Sequence, residues 1–315
     1  MKFFQRIIRV VLICSALSAV LTGANAFAGL TAEQAEDLFD KATSGDKAAL
    51  KTLTAEARQG NKYAQFNLGA LNDYGQAVSK DYHEAARWYR QAAEQGYAPA
   101  QLGLGLLYYD GKGVPQNDRE AARWYRQAAD QGYAAAQYNL GLLYFRGVGV
   151  PEDFQQEAGW YRQAAAQGHV RAQSALGFCY QHGRGVPQDY GQAARWLRQA
   201  AEQGDDFAQA NLGVLYEKGQ GVPQSKVAAY ALFSLAAERN RKDASNNRLL
   251  LIKNMTKKEI EAGEALSREI IEPMLAMMNA QTLDWDKPSH GMSKPGNPLR
   301  ALDEYLATPA VKEGQ

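Results

Sequence analysis

The chain is poor in the residues that build disulfide frameworks, metal sites and strongly charged surfaces. Its 315 residues include 2 cysteines and 4 histidines, and 35 basic residues nearly balance 34 acidic ones. So few cysteines exclude a disulfide-stapled fold. The charge balance argues against a dedicated nucleic-acid binder, which usually carries a basic surface. With 46% apolar and 22% charged residues, the composition is that of a folded soluble protein.

Residues 1–28 have the order of a secretory signal peptide: three basic residues, a mostly apolar run over 10–21, then small residues. The run is too short for a spanning helix, which needs about 20 residues. We predict cleavage after Ala28 or after Ala26, a periplasmic or secreted protein, and no membrane span after signal removal. An uncleaved anchor is the alternative. Loss of the three basic residues leaves 32 basic against 34 acidic residues.

One cysteine, Cys179, remains after signal removal. It has no intrachain partner for a disulfide, so the fold must be stabilised by packing. It stands where neighbouring repeats have Leu107, Leu143 and Leu215, which predicts a buried thiol. A bridge between two chains is the alternative.

Four blocks of similar sequence follow one another at steps of 36 residues. Each carries a tryptophan, a loop proline and a glycine at fixed positions. The tryptophans are Trp88, Trp124, Trp160 and Trp196, the prolines Pro115, Pro151, Pro187 and Pro223, and the glycines Gly96, Gly132, Gly168 and Gly204. A repeat of this length is typical of a stack of two-helix units, because one helix pair cannot bury its own apolar face.

Each unit reads as two helices and a turn. In the second block we predict helices over about 119–131 and 134–145. Asn117 is expected to cap the first helix, and the Glu120 side chain to complete a capping box by accepting a hydrogen bond from the Asn117 N–H. Gly132 is expected to end that helix. A glycine and proline loop then stops the second helix.

A glycine also recurs in the middle of each second helix, where it costs about 1 kcal/mol relative to alanine. These glycines are Gly69, Gly105, Gly141, Gly177 and Gly213. We predict that each allows close approach of a neighbouring helix, with the Trp and Tyr rings of first helices filling the adjacent space.

The ends of the repeat region are degenerate, as terminal repeats are. Ser44 is expected to cap the helix that follows it, and a capping box at Thr256 to start a helix that runs towards Pro273. Leu299, Leu302, Tyr305 and Leu306 fall on one side of a short helix. The predicted organisation is 1–28 signal peptide, 29–80 capping helices with a degenerate first repeat, 81–224 four regular repeats, 225–280 degenerate last repeat with capping helices, and 281–315 a proline-containing, largely flexible tail.

The blocks at 85–96, 111–115 and 136–144 resemble the Sel-one-like repeat family, relatives of the tetratricopeptide repeats, and the resemblance extends over roughly 46–271. It implies an all-α, right-handed α-solenoid that binds partner proteins. It also implies a bacterial, exported adaptor. Cysteine-rich relatives have been described as β-lactamases, but the paired repeat cysteines of those relatives are missing here.

Three short patterns resemble catalytic, metal-binding or dinucleotide-binding motifs, but the repeat explains each of them better. Ser44 and Lys47 match the S-x-x-K motif of serine β-lactamases, but no companion motif accompanies them. Cys179 and His182 have a metal-ligand spacing, yet one is a core position and the other an exposed one. The G-x-G loops lack the third glycine and the strand of a dinucleotide site. We therefore predict no catalytic, cofactor-binding or metal-binding residues.

Charged residues repeat on the first helices, opposite the Trp and Tyr face of the helical wheel. They form an outer arginine row, an inner arginine row and an acid row. The outer row is Arg87, Arg123 and Arg195, the inner row Arg90, Arg126, Arg162 and Arg198, and the acid row Glu94, Asp130 and Glu202. The resemblance places first helices on the inner side of the solenoid. We predict that these rows bind partner proteins, the alternative being a solvated face with weak pairs such as Arg90 with Glu94.

The repeat containing Trp160 departs from the pattern at Gly159, Ala166 and His169, which indicates a change of surface there. The sequence thus predicts an exported, non-enzymatic scaffold for proteins whose identity and oligomeric state it does not specify. The alternatives are a β-lactamase-like or other cell-wall hydrolase, and a secreted host-interaction factor on the same fold.

Overall fold

The computed structural model describes residues 29–238, 241–280 and 299–308. The predicted signal peptide lies outside these residues, as do 281–298 and 309–315 of the predicted tail. In the described part of the chain all regular structure is helical, as the sequence predicts. The chain divides into two compact units, with unit 1 ending at Asp153 and unit 2 beginning at Phe154.

Fifteen helices are described. Those of unit 1 are α1 (Ala32–Thr43), α2 (Lys47–Arg58), α3 (Lys62–Tyr74), α4 (Tyr82–Glu94), α5 (Ala98–Asp110), α6 (Asp118–Asp130) and α7 (Ala134–Arg146). Those of unit 2 are α8 (Phe154–Ala166), α9 (Val170–His182), α10 (Tyr190–Glu202), α11 (Asp206–Lys218), α12 (Lys226–Glu238), α13 (Lys242–Ile252), α14 (Lys257–Ala280) and α15 (Arg300–Leu306). Consecutive helices pack in pairs within each unit, which gives the all-α solenoid of two-helix repeats.

Helix α6 shows how local chemistry sets the repeat boundaries. The Asn117 side chain accepts a hydrogen bond from the Glu120 N–H at 3.2 Å, so the predicted cap is confirmed. The predicted reciprocal bond, from the Asn117 N–H to the Glu120 carboxylate, is wrong. The Asn117 N–H donates to the Tyr108 carbonyl at 2.9 Å, and the Glu120 carboxylate instead pairs with Arg123 at 2.8 Å. The cap N–H is thus satisfied by the preceding helix.

A glycine with left-handed backbone, two residues after Asp130, stops helix α6. Gly132 has φ of +85°, and its N–H donates to the Ala129 carbonyl while the Tyr133 N–H donates to Ala128. This pair of bonds is a Schellman motif. The loop glycine Gly113 also has positive φ, and a Cβ there would collide with the Tyr82 carbonyl. Gly113 therefore permits close contact between a loop and the first helix of its own repeat.

Four of the five mid-helix glycines, all except Gly141, are confirmed as points of close helix approach. A Cβ on Gly105 would lie 2.6 Å from Tyr125 Cε1, and one on Gly69 would lie 2.6 Å from Tyr89 Cδ1. In unit 2, Gly177 faces Leu197 and Gly213 faces Phe233 in the same way. The ring or branched side chain of the next first helix therefore occupies the volume that each glycine leaves.

The tryptophans are not all alike, and none of these glycine contacts involves one. Trp88 and Trp124 are buried in unit 1, at 5% and 6% exposure. Trp160 and Trp196 are half-buried in unit 2. The expectation that every repeat tryptophan is a core residue is thus correct in unit 1 only.

A network of buried glutamines, which the sequence reading did not anticipate, joins successive repeats. Gln101, on α5, donates to the Ala93 carbonyl at 3.2 Å and accepts from Gln131 at 2.7 Å. Equivalent bonds link Gln65 with Ala57 and Gln95. Each glutamine therefore satisfies a carbonyl near the end of one helix and holds the next first helix in register, because a buried amide without partners would be costly.

Two predictions about the ends need correction. Ser44 does not start a helix: it is the C-cap residue of α1, and its hydroxyl donates to the Asp40 carbonyl at 2.9 Å. Asp46 caps α2 instead, accepting from Ala48 at 2.8 Å, because a carboxylate stabilises a helix N-terminus. At the other end, the Thr256 capping box with Glu259 is confirmed, but α14 continues through Pro273 to Ala280.

The glycine contacts predict opposite effects for two Gly→Ala substitutions within helices. Gly105→Ala is expected to destabilise the protein by about 1–3 kcal/mol, because overpacking outweighs the gain in helix propensity of about 1 kcal/mol. Gly159→Ala, in α8, has no atom within 4 Å of the added Cβ, so it is expected to stabilise by about 0.5–1 kcal/mol. Urea melts of both variants test this. Equal effects would mean that the Tyr125 ring does not restrict Gly105.

None of the helices in the described part of the chain is both long and apolar enough to cross a bilayer.

Candidate functional site

The inner arginine row is built from a contact that repeats with the sequence. Each arginine, on a first helix, lies beside the tyrosine 18 residues later, on the second helix of the same repeat. The pairs are Arg90–Tyr108, Arg126–Tyr144, Arg162–Tyr180 and Arg198–Tyr216. The Arg90 guanidinium donates to the Tyr108 hydroxyl at 2.6 Å, and Arg162 donates to Tyr180 at 3.3 Å. A guanidinium has five N–H donors, so one bond to tyrosine leaves capacity for a carboxylate.

The outer row lies differently from the prediction that it is opposite the tryptophan face. The Arg87 Cζ atom lies 4.4 Å from the centroid of the Trp88 ring, and its guanidinium pairs with Glu84 at 2.6 Å. Arg123 repeats this arrangement on Trp124 and Glu120. Adjacent residues are only 100° apart on a helix, so a long arginine folds over its neighbour. In these two repeats the outer row therefore covers the tryptophan rim and is already ion-paired.

The acid row joins the inner row in one repeat. Arg198 pairs with Glu202 at 3.1 Å, four residues on, which is the kind of pair expected for Arg90 and Glu94. Arg90 instead donates to Tyr108, and Glu94 and Asp130 are exposed. An exposed pair of this kind contributes little, about 0.3–0.5 kcal/mol.

Helix α15 occupies the last of the inner-row pairs. The Asp303 carboxylate accepts from the Arg198 guanidinium, while Leu299 and Leu302 are fully buried in the apolar core of unit 2. Tyr216 is also buried in that core, at 3% exposure. Burial raises the pKa of the Tyr216 hydroxyl, the nearby Arg198 opposes this rise, and Asp303 adds to it. An amphipathic acidic helix is thus accommodated by an arginine–tyrosine pair.

The repeat with Trp160 contains a buried ion pair that the sequence analysis missed. Glu157 is fully buried, and its carboxylate accepts from Arg184 at 2.6 Å. Burial raises the pKa of the adjacent Cys179 thiol to about 12, and the Glu157 charge adds to this effect. The signal was present in the sequence, since Glu157 stands where Ala85, Ala121 and Ala193 stand in the other repeats.

The residues considered for catalysis or metal binding do not form a site. Cys179 is a buried free thiol, as predicted, and His182 is exposed, with Nδ1 3.0 Å from the Phe178 carbonyl oxygen. His169 is buried and caps α9 through its Nδ1 atom. In the part of the chain that the structure describes, no three His, Cys, Asp or Glu side chains are grouped to hold a metal ion. The absence of catalytic, cofactor and metal residues stays a prediction.

The repeat geometry corresponds to a known family. The Sel1 repeat model matches at 62–97, 98–133, 134–169, 170–205 and 206–240. The chain belongs to the Sel1 repeat family. Each matched Sel1 repeat begins at a second helix and ends before the next one, so its two helices are joined by the glycine loop.

The solved structure of a Sel1 repeat protein from Oxalobacter formigenes is similar to this chain, with 36% identity and a TM-score of 0.61 over 66% of this chain and 85% of that one. A protective antigen present in uropathogenic Escherichia coli strains, which displays an SLR fold, has 26% identity over 85% of this chain and 82% of its own, with a TM-score of 0.38. A putative Sel1 repeat protein from Klebsiella pneumoniae has 20% identity over 63% of this chain and 97% of its own, with a TM-score of 0.41. No curated protein matches the chain.

Proposed function

We propose that the protein is an exported, non-enzymatic scaffold whose Sel1 repeats bind partner proteins, with the inner arginine row contacting acidic segments of those partners. The observation that carries this proposal is the arginine–tyrosine pair that recurs in four successive repeats. A tyrosine that holds a guanidinium in place reduces the side-chain entropy lost on binding, which favours its use in recognition. Membership of the Sel1 repeat family supports the scaffold part of the proposal.

Two features support a binding role over a catalytic one. The Ser44 hydroxyl, the candidate nucleophile, donates to its own helix at Asp40, as a helix-ending side chain does. Arginine and tyrosine, which supply the repeated pairs, are enriched at interface positions where truncation weakens binding most. A role in the periplasm and a role as a secreted host-interaction factor require the same surface, and they differ only in the place where partners are met.

Reversal of two inner-row charges in unit 1 tests the binding surface. Arg90→Glu with Arg126→Glu is expected to weaken partner capture at least about tenfold, since each removes a charge-assisted contact. Partners are first identified by in-cell crosslinking and mass spectrometry of the wild-type protein. Their affinities are then measured for purified variants at two salt concentrations, because screening should weaken wild-type binding.

The matched control is Lys51→Glu with Arg119→Glu, which makes the same change in charge at two exposed positions outside the rows. It is expected to retain capture, and the melting temperature of both double variants should stay within about 4–8 °C of the wild type. Unchanged capture by the Arg90 and Arg126 variant would refute the role of the inner row.

Export is tested by N-terminal sequencing of the protein recovered from periplasm, outer membrane and medium. We expect a mature N-terminus at Gly29 or Phe27, because the order of residues 1–28 is that of a cleaved signal. Recovery of Met1 on envelope-bound protein would support an uncleaved anchor instead.

A further inference from the structure

The tyrosines of the arginine–tyrosine pairs differ in burial. Tyr216 is 3% exposed, whereas Tyr108 and Tyr144 in unit 1 are half-buried. The position is the same in each repeat, so the difference reflects the different residues packed around each tyrosine. In unit 2, the Asp303 carboxylate of α15 lies beside both Arg198 and Tyr216.

The contact with α15 has an apolar part as well as a charged one. Leu299 and Leu302 are buried in a cluster that includes Tyr216, and the half-buried Tyr190 and Val222 pack against that cluster. These two residues lie three repeats, or 108 residues, after Tyr82 and Val114. In unit 1, Tyr82, Val114 and Tyr108 are likewise half-buried and pack against the core. Two of the apolar residues packed against the core that holds α15 therefore have counterparts at the same repeat positions in unit 1.

We infer that the surface formed by Arg90–Tyr108 and Arg126–Tyr144 docks a short amphipathic helix of a partner protein, with a carboxylate on the arginine and leucines against the tyrosines. Helix α15 is this chain's own example of such a ligand. The inference rests on the proposed function and specifies its partner chemistry. The ligand pattern is a leucine, a second leucine three residues later and an aspartate four residues later, as in Leu299, Leu302 and Asp303.

A partner segment is favoured over the α15 of a second copy because that helix is already packed in its own chain. Its two leucines are fully buried and Asp303 contacts Arg198, so an exchange between copies would first have to expose both leucines. Such an exchange is disfavoured because apolar side chains removed from the core become exposed to water.

The test uses a fluorescent synthetic peptide with the sequence of residues 299–308 and the full-length protein. In the intact chain α15 is tethered beside Arg198, so an added peptide reports on the remaining pairs. We expect saturable binding by fluorescence anisotropy, weakened at least about tenfold by Arg90→Gln with Arg126→Gln. Glutamine keeps an N–H donor for the tyrosine hydroxyl and removes the charge. A peptide with asparagine in place of Asp303 should lose binding to the same extent.

The control protein, Lys51→Gln with Arg119→Gln, should bind the natural peptide within about twofold of the wild type. Absence of saturable binding, or binding that the Arg90 and Arg126 variant retains, would overturn the inference. So would a dimer in sedimentation experiments that Asp303→Asn abolishes, because the occupant would then be a second copy. If the peptide fails while charge reversal at Arg90 and Arg126 still abolishes partner capture, the proposed scaffold function stands and the ligand pattern alone is wrong.

Discussion

Replacement of Arg184 by leucine is expected to lower the free energy of unfolding by about 3–5 kcal/mol, the usual loss when one member of a buried ion pair is removed. Glu157 has no exposed surface and its carboxylate is 2.6 Å from Arg184, so the variant leaves a negative charge in the core of unit 2. Urea melts at neutral pH measure the loss.

The repeat supplies the control for this experiment. Glu157→Ala restores the alanine that the other repeats carry, and combined with Arg184→Leu it removes both charges. The double variant is expected to lie within about 1 kcal/mol of the wild type, because replacing a whole buried pair by apolar residues is often neutral. A double variant as unstable as Arg184→Leu alone would show that packing around Arg184, and not the buried charge, accounts for the loss.

Trp124→Ala is expected to cost about 3–5 kcal/mol, since truncation of a buried aromatic leaves a cavity that the surrounding helices cannot fill. Trp124 is 6% exposed and belongs to the core of unit 1. The comparison is Trp196→Ala in unit 2, where the half-buried ring should cost less because it leaves a smaller cavity. Equal losses in denaturant melts would contradict the difference in burial between the two tryptophans.

Helix boundaries in the repeats are predictable from sequence because local groups set them. Asn117 and Gly132 act within one turn of the residues that they cap, and the predicted bounds of α6 and α7 agree with the structure to one residue. The same reasoning failed for the Glu120 half of the capping box. The Asn117 N–H is bonded to Tyr108 of the preceding helix, and a local motif contains no information about that helix.

Contacts of the candidate site were predictable only where a departure from the repeat marks them. Glu157 at an alanine position could have been found by comparing the repeats, because a charge on a buried face requires a partner. The bond from Arg90 to Tyr108 depends on the rotation of two helices about their axes, which the hydrophobic pattern specifies only coarsely. The contact of Arg198 with Asp303 joins residues 105 positions apart, outside any periodic relation.

The buried thiol of Cys179 allows local opening of the first repeat of unit 2 to be measured kinetically. Only the thiolate reacts with disulfide reagents, and burial with a pKa of about 12 keeps the native thiol protonated and covered. Once the predicted signal peptide with Cys14 is removed, every labelling event at neutral pH must pass through a locally opened state at this one position. The labelling rate then gives the free energy of that opening at Cys179.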